Sequence, residues 1–192
     1  MKKTPILALA FAGLISASLT TAALADPPQP KIVVLDRAAI MQFSKAGQDI
    51  AKQIQTYSTQ AKADLQNQGR ALEAEERTLQ QQVAILAPDV KAKRIAAFQA
   101  KQQALQAQVQ KKDEQMRYAF AQARQQMEGK LGPILQGLVK ARGANMVLDK
   151  QAVVFATQGG FDITGDAINQ LNQQLPTLKV NFNVTPPPAP KK

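Results

Sequence analysis

Leu65, Leu72, Leu79 and Leu86 fall seven residues apart, and Ile50, Ile54, Tyr57, Ala61 and Val83 fill the three- and four-residue steps of the same stripe. Such spacing places apolar side chains on one face of a long helix. A second stripe follows, through Ile95, Phe98, Leu105, Val109, Met116, Phe120, Ala123 and Met127. Gln102 and Lys112 interrupt it where a sealed seam would carry apolar groups. Between Lys31 and Gly132 the only proline is Pro88, and it separates the two stripes. Proline is tolerated in the first turn of a new helix and disruptive inside an old one. A single kinked helix would leave its apolar stripe without a partner, whereas a hairpin lets the two stripes cover each other. The near-equal arms and Asp89, suited to a helix N-terminus, favour the hairpin. Its first arm spans roughly residues 44–87, and Gly47 and Gly69 weaken it locally.

The flanks read differently. Lys31-Ile32-Val33-Val34-Leu35-Asp36 is rich in β-branched residues and predicts a short buried strand. Asp36 can cap a short helix through Phe43, and Ser44 can cap the first long arm. After the second arm, Gly129-Lys130-Leu131-Gly132-Pro133 predicts a bend or break before Ile134, Leu135, Leu138 and Val139 resume an apolar face. Gly143 ends that helix. Asn145–Asp149 and Ala152–Ala156 read as two strands of a β-hairpin turning at Lys150. Asp162 or Thr164 can cap a last helix bearing Ala167, Ile168 and Leu171.

Three short strands brought together by a long hairpin predict a mainly α protein with a small β body from which a coiled-coil arm projects. So small a body buries little apolar surface, so completion of its sheet by other copies of the chain is expected. Ile32, Val33, Val34, Val147, Leu148, Val153 and Val154 are the candidate body core or oligomer interface. The chain then divides into an export signal at 1–25, the first part of the body at 26–43, the arm at 44–130 with its bend near 88, the second part of the body at 131–175, and a flexible proline-rich tail at 176–192.

The export signal rests on Lys2 and Lys3, the apolar stretch Ile6–Ile15 and the small residues Ala23-Leu24-Ala25 before Asp26. The alternative, a membrane helix, fits less well with the serines and threonines of 16–21. Without Lys2 and Lys3 the 24 basic residues become 22 against 14 acidic ones, a net charge of +8. Cysteine and histidine are both absent. Disulfides, thiolate chemistry, the usual zinc and copper sites and Ser-His-Asp groups are thereby excluded. No Gly-rich phosphate loop is present either. The expectation is a protein without cofactor, bound metal or catalytic residues, working without ATP.

With the exported start, the opening strand, the long Gln/Lys/Glu-rich hairpin, Met146-Val147-Leu148-Asp149, Ala152-Val153-Val154-Phe155 and Phe161-Asp162-Ile163-Thr164, the chain resembles the Skp/OmpH family of periplasmic chaperones. The resemblance covers most of the chain after residue 25, and the strand pair followed by Asp-Ile-Thr is its more specific part. It implies a homotrimer in the periplasm of a Gram-negative bacterium, three hairpins enclosing a cavity that holds unfolded outer-membrane proteins. Glutamine supplies 19 of the 85 residues from Ser44 to Glu128, which suits arms offering many weak contacts.

Lys91, Lys93 and Arg94, with Lys101 farther along, form the densest basic run and would lie near the arm tip. They are candidate contacts for an acidic client, or for lipopolysaccharide or an acidic membrane surface as the resemblance implies; the plainer reading is a solvated helix start. Phe98 is a candidate client contact, set against ordinary helix packing. Two other functions compete: a periplasmic coiled-coil spacer or adaptor, and a binder of anionic polymers or lipids. Nucleic acid is not expected, because no aromatic stacking positions interleave with the basic residues.

Overall fold

The computed structural model describes residues 29–155 and 160–184. The elements run β1 (Ile32–Leu35), α1 (Arg37–Phe43), α2 (Lys45–Gln82), α3 (Pro88–Ala141), β2 (Met146–Asp149) and α4 (Thr164–Gln174), with one 3-10 turn at Lys150–Ala152. The expected export signal lies outside the described residues.

Local chemistry sets most boundaries. Asp36 accepts a hydrogen bond from the Ala39 N–H and starts α1. Ser44, wholly buried, accepts from the Gly47 N–H at 3.0 Å and starts α2. Gly47 has a further role: a Cβ there would sit 2.0 Å from the Met41 carbonyl oxygen. The absent side chain lets α1 and α2 meet. Pro88 occupies the first turn of α3 after a turn at residues 83–86, so a new helix begins there. Gly143, at φ +58°, ends α3, with Gly143 and Ala144 N–H groups donating to Lys140 and Val139.

At 38 and 54 residues, α2 and α3 are about 57 and 81 Å long at 1.5 Å per residue. They lie antiparallel, as the pairs Ser44–Met127, Tyr57–Gln115 and Lys101–Glu75 show. The expected break at Gly129–Pro133 is absent: α3 continues through Pro133 to Ala141. A proline in a helix interior removes one hydrogen bond and costs about 3 kcal/mol. Leu131, Ile134 and Leu138 are buried around it, and each such side chain contributes about 1.5–3 kcal/mol. Packing therefore overrides the local signal.

The sheet also differs from expectation. It has two strands, β1 and β2, paired in parallel with Val33 opposite Val147 and Val34 opposite Leu148. Residues 150–152 form the 3-10 turn, and Val153 to Phe155 form no strand. The expected hairpin is thus replaced by pairing across more than a hundred residues. On the other edge of β1, the Val34 N–H donates to Phe161 and the Ile163 N–H to Val34, giving a single parallel bridge to Asp162. The core lies where this sheet, α1, α4 and the lower parts of α2 and α3 converge, around Ile40, Ile50, Ile163 and Leu171.

One further expectation is corrected. Residues 176–192 read as a flexible tail, but Leu178 and Val180 are buried against the lower part of α2. Residues 185–192 lie outside the described residues.

Candidate functional site

Three surfaces bear on function. The first is the seam between α2 and α3. From Ala119 upward through Ala123, Met127, Leu131, Ile134 and Leu138, α3 buries a residue every three or four positions against the body. Farther out the seam loosens. Leu65, Leu72, Leu79 and Leu86 are only half-buried, as are Leu105 and Met116, and Val109 and Phe120 face solvent. Ala119 takes the seam position expected of Phe120. In mid-arm a groove of about 550 Å³ opens between Asp64, Gln68, Gln108 and Lys111. Another of about 460 Å³ is lined by Tyr57, Ala61, Leu65, Val109 and Met116. Lys112 borders both. Its ammonium lies 5.3 Å from the Tyr57 ring centroid, a cation–π distance.

The second surface is the tip. Lys91 and Lys93 are exposed, with no ion pair among the described residues. The other tip candidates are engaged within the hairpin. Arg94 donates to the Gln82 carboxamide oxygen, and Lys101 pairs with Glu75 at 2.7 Å. Phe98 is buried, so it packs the seam instead of facing a ligand. Ile85, 83% exposed, lies in the turn before α3, and exposed Val90 directly precedes Lys91 in the chain. Sequence reasoning passed over Ile85, whose position in the turn removes it from both stripes.

The third surface is the edge of the body. Of the seven residues expected in core or interface, Val33 and Val34 are buried, while Leu148 and Val153 are half-buried. Ile32, Val147 and Val154 are exposed within the single chain, Val154 completely, and Met146 and Phe155 join them. Behind this edge Lys150 pairs with Asp162 at 3.0 Å. Burial pushes the Asp162 carboxyl up, but hydrogen bonds from Thr164 and from Lys150 outweigh it and hold the group below its ordinary value. The hydrogen bond and the charge of Asp162 in turn raise Lys150. Asp162 also accepts from the Thr164 N–H, and the Thr164 hydroxyl accepts from the Asp36 N–H. Both groups are committed to joining β1 to α4.

Sequence reasoning also missed the extended segment on α2. The Leu178 N–H donates to Asp49 at 3.0 Å, the Val180 N–H to Gln53 at 2.9 Å, and the Gln53 amide donates back to the Leu178 carbonyl at 2.7 Å. Phe182 stacks on Tyr57, centroids 4.1 Å apart and planes 3° from parallel. The signal that could have found it is the alternation Leu178, Val180, Phe182, Val184.

A long antiparallel helix pair rising from a small parallel sheet defines the architecture of this class. Residues 31–171 match the family described as outer membrane protein (OmpH-like), and the chain belongs to that family. Among solved structures it is similar to a candidate outer membrane chaperone (OmpH-like) from Caulobacter crescentus CB15. The two share 23% identity with a TM-score of 0.73, over 81% of this chain and 91% of the other. No curated protein matches the chain. Among the described residues, no helix is long and apolar enough to cross a membrane.

Proposed function

We propose that the chain is an ATP-independent holdase of the Gram-negative periplasm that keeps unfolded outer-membrane proteins from aggregating. The observation that carries this reading is the open mid-arm seam, where half-buried leucines, exposed Val109 and two solvent-facing grooves alternate with glutamine and lysine. An unfolded barrel strand needs its apolar residues shielded from water, and release requires that no single contact be strong. Many shallow apolar sites on a polar arm meet both needs. Family membership and the likeness in fold to a candidate outer membrane chaperone support the same reading.

Three copies, joined through the exposed edge of Ile32, Met146, Val147, Val154 and Phe155, would surround a client with three coiled-coil arms. β2 has β1 on one side and no described strand on the other, so its free edge suits pairing with another copy. Lys91 and Lys93, with exposed Ile85 and Val90 preceding them in the chain, are the proposed contacts for acidic client segments or lipid phosphates. Arg94 and Lys101 are not, since their charges are engaged along the arm.

The test is dilution of a urea-unfolded outer-membrane barrel protein into nucleotide-free buffer, followed by light scattering. Suppression by a molar excess of the chain is expected, and unchanged scattering would contradict the proposal. Sedimentation at micromolar concentration should give three times the chain mass. Binding to anionic vesicles should fall in Lys91→Gln/Lys93→Gln and with added salt; equal binding would remove the tip from the account.

A further inference from the structure

Residues 177–184 alternate along their length. Leu178, Val180, Phe182 and Val184 turn toward the protein, buried or half-buried, while Lys179, Asn181 and Asn183 are exposed. This segment runs along α2 toward the arm tip and meets it at even steps: Leu178 at Asp49, Val180 at Gln53, Phe182 at Tyr57. Two extended residues span about 6.6 Å, and four helical residues span about 6 Å. The two repeats therefore remain in step over several turns. Gln53 grips main-chain groups on both sides, donating to the Leu178 carbonyl and accepting from the Val180 N–H. What the helix reads is a spacing and a backbone, with alternate apolar side chains filling the positions between.

Beyond the Phe182–Tyr57 contact, α2 carries further apolar positions. Tyr57, Ala61 and Leu65 extend its apolar ladder at four-residue spacing, with Ser58, Lys62 and Gln66 beside them along the groove of about 460 Å³. The chain cannot prolong the donor ladder itself, because Pro186, Pro187 and Pro188 carry no amide N–H. We infer that this track is a binding site for extended segments with alternating apolar residues, and that the chain's own residues 177–184 occupy it as an internal competitor. The identity of the displacing ligand, an unfolded β-barrel strand, rests on the holdase reading. Such a strand has about 9–11 alternating residues, long enough to engage the ladder from Asp49 past Leu65. A longer ligand makes more steps than the eight-residue strap and displaces it.

The experiment uses the full chain after residue 25, the variant Val180→Asn/Phe182→Asn, and a fluorescent peptide of sequence Thr177–Val184. A second peptide has the same composition with its apolar residues contiguous. Fluorescence anisotropy should show the alternating peptide binding the variant at least about tenfold more tightly than the unaltered chain, since an occupied site lowers apparent affinity by its free fraction. The contiguous peptide should bind both chains equally weakly. Adding Tyr57→Ala to the variant should return its affinity to that of the unaltered chain. A urea-unfolded barrel protein should displace the peptide. Equal affinity of the two chains for the alternating peptide, or of the variant for the two peptides, overturns the inference. So does protection of the barrel protein from aggregation without peptide displacement, which leaves the holdase reading standing. Peptide binding without protection by either chain sinks the holdase reading and leaves the track. If circular dichroism shows that the double variant loses helix, the comparison is made with Phe182→Ala alone and the same outcomes apply.

Discussion

The lower and middle stretches of the α2–α3 pair are composed of similar residues, yet only the lower stretch is sealed. Near the body α3 presents Ala119, Ala123 and Met127, small or flexible groups that allow close approach, and Ile50 of α2 is wholly buried. In mid-arm, Lys112 sits in the seam and Val109, lining the groove beside Leu65, stays 47% exposed. The stripe of leucines on α2 is regular there, but the stripe facing it is not. A heptad on one helix holds a pair together, and both helices must carry it before the seam closes. The difference concentrates stability in the body and leaves the arm able to open to apolar ligands.

The largest effect should come from the sealed end. Leu171→Ala should lower the free energy of unfolding by about 2–5 kcal/mol, as expected for a fully buried leucine, measured by urea denaturation. Ser44→Ala should cost about 1–2 kcal/mol through loss of its buried cap. Leu72→Ala, in the open seam, should cost about 1 kcal/mol, since half-burial yields about half the gain of full burial. A loss at Leu72 equal to that at Leu171 would erase the contrast. Lys101→Ala should fall within about 0.2–1 kcal/mol, because Lys101 is 57% exposed and Glu75 40% exposed, so solvent screens the pair.

The Lys150–Asp162 pair sharpens the comparison through pH. The Asp162 carboxyl is held below its ordinary 3.8, so its contribution is present above that value and lost as pH falls through the lower folded value. Lys150 is raised above 10.5, so its contribution is present below 10.5 and lost as pH rises through the higher folded value. Acid unfolding of Asp162→Asn should show a shallower pH dependence below pH 4 than the unaltered chain. An identical profile would mean that the pair does not help hold the body.

Much of this architecture is legible in sequence because its signals are local. Caps at Asp36 and Ser44, the leucine heptad and the helix start at Pro88 each depend on a few neighbouring residues. The helix through Pro133 was not legible, since its persistence depends on Leu131, Ile134 and Leu138 meeting a distant body. Ala152–Phe155 has strand composition but pairs with no strand among the described residues, and β2 pairs with a strand more than a hundred residues away. In α3, the small Ala119 gave a weaker signal than its larger neighbour Phe120, so the reading placed Phe120 in the stripe, while Ala123 and Met127 were placed correctly. Among the tip candidates, the basic run was visible, but which of its charges are engaged depends on α2 across the turn. The strap on α2 was legible in principle from Leu178 to Val184, and the prolines beyond it masked the alternation.

Amide hydrogen exchange, with and without an unfolded outer-membrane barrel protein, tests the central claim most directly. Without client, amides of residues 61–112 should exchange much faster than those of 119–138. With client, protection should rise in 61–112 and stay unchanged in 119–138. Protection gained only in the body, or uniform exchange along both helices before client is added, would contradict the account.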